Sequence, residues 1–235
     1  MLFAFLQDAD MNIDFGPVFA RSGFLIDGLL LTLQFSLTAI VTGFVAGTLI
    51  AVGSRSKTRL LSLVCQGYVE AIRNTPLLVQ LLVVYFGLSS VGLKFPVFFV
   101  VILAMTINNA AYTAEIMRAG LDSIAKSQIE AAKSLALSPW QVFSRVMLPP
   151  AIERVYRSLS SQFVLMMLSS SITSQISAEE LMAAGNFIQS ETFRPFETYI
   201  VLAVLYLILS LLFRGLFWAF GQVAFPRRRR LGTSL

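Results

Sequence analysis

The sequence predicts an all-α integral membrane fold of about five transmembrane helices with one water-facing helical hairpin. Composition is the first reason: 56% of the 235 residues are hydrophobic and 13% are charged, against roughly 25% charged in soluble domains, and mean hydropathy is +0.75. The second is a set of apolar stretches of about 20 residues, each long enough to cross a hydrocarbon core. The third is one long polar interruption, Tyr112 to Pro149, which carries Glu115, Arg118, Asp122, Lys126, Glu130, Lys133 and Arg145.

Met1–Arg21 reads as an acidic lead-in, with Asp8, Asp10 and Asp14 against Arg21, and without the basic start and cleavage site of a removed signal peptide. Phe24–Val52 is the first span. Gly43 and Gly47, one turn apart on it, form a small-xxx-small close-packing face. Arg55, Lys57 and Arg59 make a basic turn. Leu60–Leu93 would reach roughly 50 Å as one helix, against a core of about 30 Å. It is therefore expected to break: Leu60–Asn74 as an amphipathic interfacial lead-in, then a crossing from Thr75 to Leu93, with Pro76 at a helix start or kink. Pro96–Met117 is the third span.

The polar interruption is expected to hold two short helices and the start of a third. Ser138-Pro139 is an N-cap followed by proline, and Pro149-Pro150 opens the next helix likewise. Ile124, Ile129, Ala132, Leu135 and Ala136 are expected on one helix side, with Lys126, Glu130 and Lys133 toward another. The fourth span, Leu159 to Thr173, ends in Ser169-Ser170-Ser171-Ile172-Thr173-Ser174-Gln175, more hydroxyl and amide groups than back-bonding to the helix calls for. Ile176–Phe196 is polar, Pro195–Gln222 is the fifth span, and Arg227–Arg230 form a basic tail. Basic residues concentrate at 55–59, in the hairpin and in the tail, so the positive-inside rule puts hairpin and C-terminus in the cytoplasm and the N-terminus outside.

One cysteine, Cys65, and no histidine exclude an internal disulfide and leave little for metal ligation or acid–base catalysis. No catalytic or metal site is expected. GxxxxGK[ST] is missing, so the chain is not itself an ATPase of the phosphate-loop kind.

Glu130-Ala131-Ala132, three residues, Ala136, then Val146-Met147-Leu148-Pro149 resembles the EAA motif of bacterial ABC-importer permeases. Arg73-Asn74-Thr75-Pro76-Leu77-Leu78-Val79-Gln80, Tyr112-Thr113-Ala114-Glu115-Ile116 and Arg118-Ala119-Gly120 narrow the likeness to the polar amino-acid uptake permeases of the histidine/glutamine type. The likeness covers roughly Leu29 to Leu216. It implies a periplasmic lead-in at 1–23, a transmembrane domain at 24–223 with the EAA coupling region at about 122–149, and a cytoplasmic basic tail at 224–235, in a bacterial inner membrane. It implies that Glu130, Ala131, Ala132, Ala136, Leu148 and Pro149 couple the chain to cytoplasmic ATPase subunits, which would bind the ATP and magnesium; this chain would hold no cofactor. A second permease subunit (paralogue or copy), a periplasmic or lipid-anchored binding protein and the bilayer are the other implied partners; nucleic acid is not one. The family glycine is Ala136 here, a one-methyl change expected to sit within a helix. Many relatives carry Lys-Asp-Thr-Ser-Leu where this chain has Leu168-Ser169-Ser170-Ser171-Ile172, and the lost charges lean the substrate toward basic amino acids or opines.

The mid-membrane polar side chains Asn108, Asn109, Tyr112, Ser169, Ser170 and Ser171 are the candidates for the substrate pathway, since such groups are costly in lipid and face a cavity or a partner. The alternative function is an ion-coupled secondary amino-acid transporter. That class favours mid-membrane acids and broken helices in matched halves, whereas Glu115 lies near the cytoplasmic end of its span.

Overall fold

The computed structural model describes residues 13–225; the acidic start and the Arg227–Arg230 tail lie outside the described residues. The described residues form helices joined by short turns. After a turn of helix at Gly16–Phe19 (α1), α2 runs unbroken over Ser22–Ser54. α3 is Arg59–Arg73 and α4 is Leu77–Ser90, meeting at 109°. α5 is Val97–Asp122 and α6 is Lys126–Ser134. A short α7, Pro139–Gln141, widens into a π-helix over Val142–Met147 and continues as α8, Leu148–Ser169. A 3₁₀-helix, Ser170–Ile176, then leads to α9, Leu181–Thr192, and α10, Pro195–Ala224.

α2, α5 and α10 are each long and apolar enough to cross a membrane, and the bent α3–α4 pair is so only when its two helices are taken together as one broken span. The predicted fourth span, Leu159 to Thr173, falls on the end of α8 and the start of the 3₁₀-helix. At about 1.5 Å per α-helical and 2.0 Å per 3₁₀ residue the stretch from Leu159 to Ile176 reaches about 30 Å, but α8 is not among the helices long and apolar enough to cross by themselves.

The first prediction to be sharpened is the break in the second span. Pro76 adopts an extended conformation as the N-cap of α4, which follows from its missing N–H and the restriction it places on Thr75. The crossing is shorter than the expected Thr75–Leu93: α4 has 14 residues, about 21 Å. The third span, α5, by contrast, outruns Met117 and ends at Asp122, so the hairpin proper begins at Ser123.

Two apolar clusters make the core. One gathers Ile40, Met117, Leu121, Leu159, Leu181 and Phe213. The other gathers Phe35, Leu81, Val101, Met105, Met166 and Ile176. α5 contributes to both and is the central post. Its closest partner is α2, where the glycine face does what was expected: a Cβ on Gly43 would lie 2.6 Å from Asn109 Nδ2, and one on Gly47 2.6 Å from the Ala110 carbonyl oxygen. Only a residue without a side chain fits at either place.

Candidate functional site: the hairpin and the elbow

Ser138 caps α7 as expected: Gln141 N–H donates to Ser138 Oγ (3.3 Å), and Ser138 N–H donates to Gln141 Oε1 (2.8 Å), a closed capping box. The second proline pair stands in the first turn of α8, as expected, but α8 follows the π-helix without a break. Pro149 and Pro150 bring no N–H back to the carbonyls of Arg145 and Val146, and the coil widens to π geometry ahead of them instead of breaking.

Ala136 is the clearest correction. It lies beyond α6, at φ 55°, in the left-handed region. Its N–H donates to the Lys133 carbonyl (2.9 Å) and the Leu137 N–H to the Ala132 carbonyl (3.3 Å). That pair of bonds is a Schellman motif with Ala136 at the position where glycine is preferred. The extra methyl therefore meets a backbone penalty that a helix interior would not impose. The apolar side expected for the hairpin is also shorter. Ile124 and Ala132 are buried and Ile129 half-buried, but Leu135 is 76% exposed.

Of the six coupling candidates, Ala131, Ala132 and Pro149 line one cleft of about 780 Å³, together with Leu135, Glu153 and Phe225. Glu130 stands exposed on α6. Leu148 packs against the larger core cluster, and Ala136 ends the helix.

The pathway candidates separate into two groups. Asn108 is buried and donates from Nδ2 to Gln80 Oε1 on α4 (2.9 Å). Asn109, fully buried, donates from Nδ2 to the Ala39 carbonyl of α2 (3.1 Å). Its Oδ1 and the Thr113 hydroxyl have no hydrogen-bond partner among the described residues. Tyr112 presents its ring to Arg73, whose guanidinium carbon is 5.8 Å from the centroid. The serines keep to their own chain: Ser169, Ser170 and Ser171 donate to the carbonyls of Leu165, Met167 and Leu168, and Thr173 and Ser174 to Ser170 and Ser171. The hydroxyls thus cover carbonyls at the end of α8 and in the first residues of the 3₁₀-helix.

The remaining motifs meet at the elbow. Gln80 Nε2 donates to the Ile72 and Thr75 carbonyls and to Thr75 Oγ1 (2.7, 3.0 and 2.8 Å), pinning the bend from its C-terminal side. Arg118 clasps Glu115 through two bonds (2.5 and 3.1 Å), and Arg73 stands 3.9 Å from the same carboxylate. Gly120 faces the Ala151 carbonyl oxygen at 2.9 Å from where its Cβ would be, so α5 and α8 approach backbone to backbone there.

Glu180 was not singled out from the sequence, yet it is fully buried. Oε1 accepts from the N–H groups of Met182 and Ala183 (2.9 and 3.1 Å), capping α9, while Oε2 accepts from Tyr206 of α10 (2.8 Å) and Thr32 of α2 (3.3 Å). Burial pushes its carboxyl above the usual carboxylate range, against the opposing pull of these bonds. The sequence signal was an acid immediately ahead of an apolar helix start.

Among known proteins, the family described as binding-protein-dependent transport system inner membrane component matches residues 39–222. A Rickettsia bellii permease protein assigned to a glutamine transport system, GlnP, is 35% identical over 190 residues, covering 80% of this chain and 87% of that relative. The octopine transport system permease protein OccM of Rhizobium radiobacter is 33% identical over 237 residues, covering 94% and 95%. A solved amino acid ABC transporter with histidines is 36% identical, with a TM-score of 0.81 over 90% of this chain and 99% of that one. The match favours the ATP-driven reading over the ion-coupled one and settles the assignment: the chain belongs to the inner membrane permease components of binding-protein-dependent transport systems.

Proposed function

We propose that this chain is one of two permease subunits in an importer of polar amino acids, with basic amino acids and opines as the favoured cargo. The observation that carries the coupling part is the hairpin. A polar helix with Glu130 and Ala131 exposed hangs between apolar spans beside a cleft of about 780 Å³. Small side chains allow close approach of a partner helix or groove, and Glu130 offers a charge-assisted contact. The partner is a cytoplasmic ATPase, which binds ATP and magnesium. Relatives named for glutamine and octopine, and a solved transporter with histidines, support nitrogen-rich amino acids as the substrate class. The uncharged run Leu168–Ile172 supports the lean toward cationic members.

In this reading the hairpin and the 55–59 turn face the cytoplasm and α9 faces outward, as the distribution of basic residues supports. A binding protein delivers substrate near α9. Closure of two ATPases pushes on the hairpins, and the spans of two permeases, copies or paralogues, alternate between inward- and outward-facing states. Substrate passes Asn108, Asn109, Tyr112 and Ser169–Ser171. Asn109 Oδ1, which has no hydrogen-bond partner among the described residues, and the remaining lone pairs on the serine hydroxyls can each accept from an ammonium or guanidinium.

The test is uptake into proteoliposomes holding the native complex, with its binding protein and labelled amino acids. ATP-dependent uptake of arginine, lysine or octopine, lost without binding protein, is the expected result. Uptake of a neutral polar amino acid instead would overturn the lean alone. Uptake indifferent to ATP but following an ion gradient would overturn the proposal.

A further inference from the structure

The three sequence motifs outside the hairpin converge on one chain of charges. Arg55, at the end of α2, pairs with Asp122 through Oδ1. The other oxygen of Asp122 takes Arg118 Nη1 at 3.3 Å. Arg118 holds Glu115 at 2.5 Å, and Glu115 is 3.9 Å from Arg73, the last residue of α3. Five side chains thus alternate plus and minus from the end of the first span, across the end of the third, to the elbow.

Energetics argue against a purely stabilising role. The five side chains are between 30% and 50% exposed, and ion pairs at that exposure add little to stability. What such a network fixes is relative position. The network is anchored at the hairpin root and at the elbow. Asp122 is followed at once by Ser123, whose carbonyl accepts from Arg154 of α8, so the hairpin root is clamped. At the other end Gln80 pins the elbow and is itself held by Asn108. Beside the network lies a cavity of about 320 Å³, bounded by Gln66, Glu70, Glu115 and Arg118, which leaves room for the charges to re-pair when the helix ends move.

We propose that Arg118 is a positioning residue for transport: with Glu115, Asp122, Arg55 and Arg73 it forms a strut that passes displacement of the hairpin root to the α3–α4 elbow, and through Gln80 and Asn108 to the centre of α5. The inference rests on the importer reading above. Arg118 is the one member that bonds to both carboxylates, so removing its charge cuts the strut in the middle while leaving its two ends in place.

The test is reconstitution of the whole complex with Arg118→Gln and with the exchanged pair Arg118→Glu/Glu115→Arg, following ATP hydrolysis, uptake, ATPase co-purification and melting temperature. A coupling network of this kind is worth about tenfold in the linked function. The expected result for Arg118→Gln is uptake reduced about tenfold per ATP hydrolysed, with the ATPase still bound and melting little changed; the exchanged pair recovers part of the loss. Uptake per ATP at the wild-type level would overturn the strut. So would a loss of uptake matched by loss of the ATPase or of melting temperature, which would mark Arg118 as structural. Failure of the wild-type complex to couple uptake to ATP would instead refute the importer reading, which keeps the two failures distinct.

Discussion

Tyr206 of α10 donates its hydroxyl to the Glu180 carboxylate at 2.8 Å, so the last span is tied to the N-cap of α9. Thr32 adds α2 to the same carboxylate and also accepts the Leu181 N–H at 3.1 Å. Gly28 permits this closeness, since a Cβ there would meet the Leu181 backbone at 2.9 Å. Glu180→Ala leaves buried donors without an acceptor and should cost about 2–3 kcal/mol. Glu180→Gln keeps an acceptor for the α9 cap and should cost far less. Thermal melting of the detergent-solubilised protein distinguishes them.

The same residue gives a pH dependence. Native Glu180 holds its proton to higher pH than an unfolded glutamate does, so unfolding releases a proton once pH exceeds the ordinary carboxylate range, and raising pH favours the unfolded state. Wild-type melting temperature should therefore fall relative to Glu180→Gln as pH rises from that range through the raised native value. A difference that stays flat or grows in favour of wild type would contradict the burial argument.

Gly47 gives the sharpest packing prediction. Its Cβ position is 2.6 Å from a backbone oxygen and 2.7 Å from Thr113 Cβ, neither of which can swing aside. Gly47→Ala should destabilise by about 1–3 kcal/mol, measured as a drop in melting temperature. Gly67 has open space around its Cβ position, so Gly67→Ala in α3 should be neutral or stabilising by up to about 1 kcal/mol.

How much of this was legible depended on whether the deciding physics was local. The Gly43/Gly47 face and the Pro76 break were, since a missing side chain and a missing N–H act where they stand. Length was a poorer guide. α2 runs 33 residues without a break, about 50 Å, as long as the segment that was expected to break for its length. Proline, rather than excess length, separates the two. The Glu180 junction was not legible, because its partners lie 148 and 26 residues away. The back-bonding of the serine run was not legible for a related reason: its hydroxyls reach carbonyls three or four residues earlier as the helix tightens to 3₁₀ geometry, which apolar patterning does not reveal.

Ala136 was misread because Ala and Leu are strong helix formers, and Ala131-Ala132-Lys133-Ser134-Leu135-Ala136-Leu137 has no interior breaker. The nearest sign of an ending was Pro139. With φ at 55°, Ala136→Gly relieves about 1–2 kcal/mol of left-handed strain and returns part of it as extra freedom of the unfolded chain. The expected net gain is about 0.5–1 kcal/mol of local stability. Slower amide exchange at Ala132–Leu137 would register it; unchanged or faster exchange would contradict the Schellman assignment.

Glu130 separates docking from folding. It is exposed, and its carboxylate makes no hydrogen bond or ion pair among the described residues; only its backbone carbonyl is used, by Ser134. Glu130→Arg should therefore leave the melting temperature unchanged. If the carboxylate meets a cationic site on the ATPase, reversal sets like charges against each other and weakens association about tenfold or more. The weakening should ease as salt rises, since exposed charges are screened over about 10 Å at 0.1 M. Titration of the ATPase onto permease in nanodiscs at two salt concentrations measures both. Association unchanged at low salt would remove Glu130 from the docking surface and shift it to the small residues Ala131 and Ala132, whose replacement by larger side chains would then become the decisive experiment.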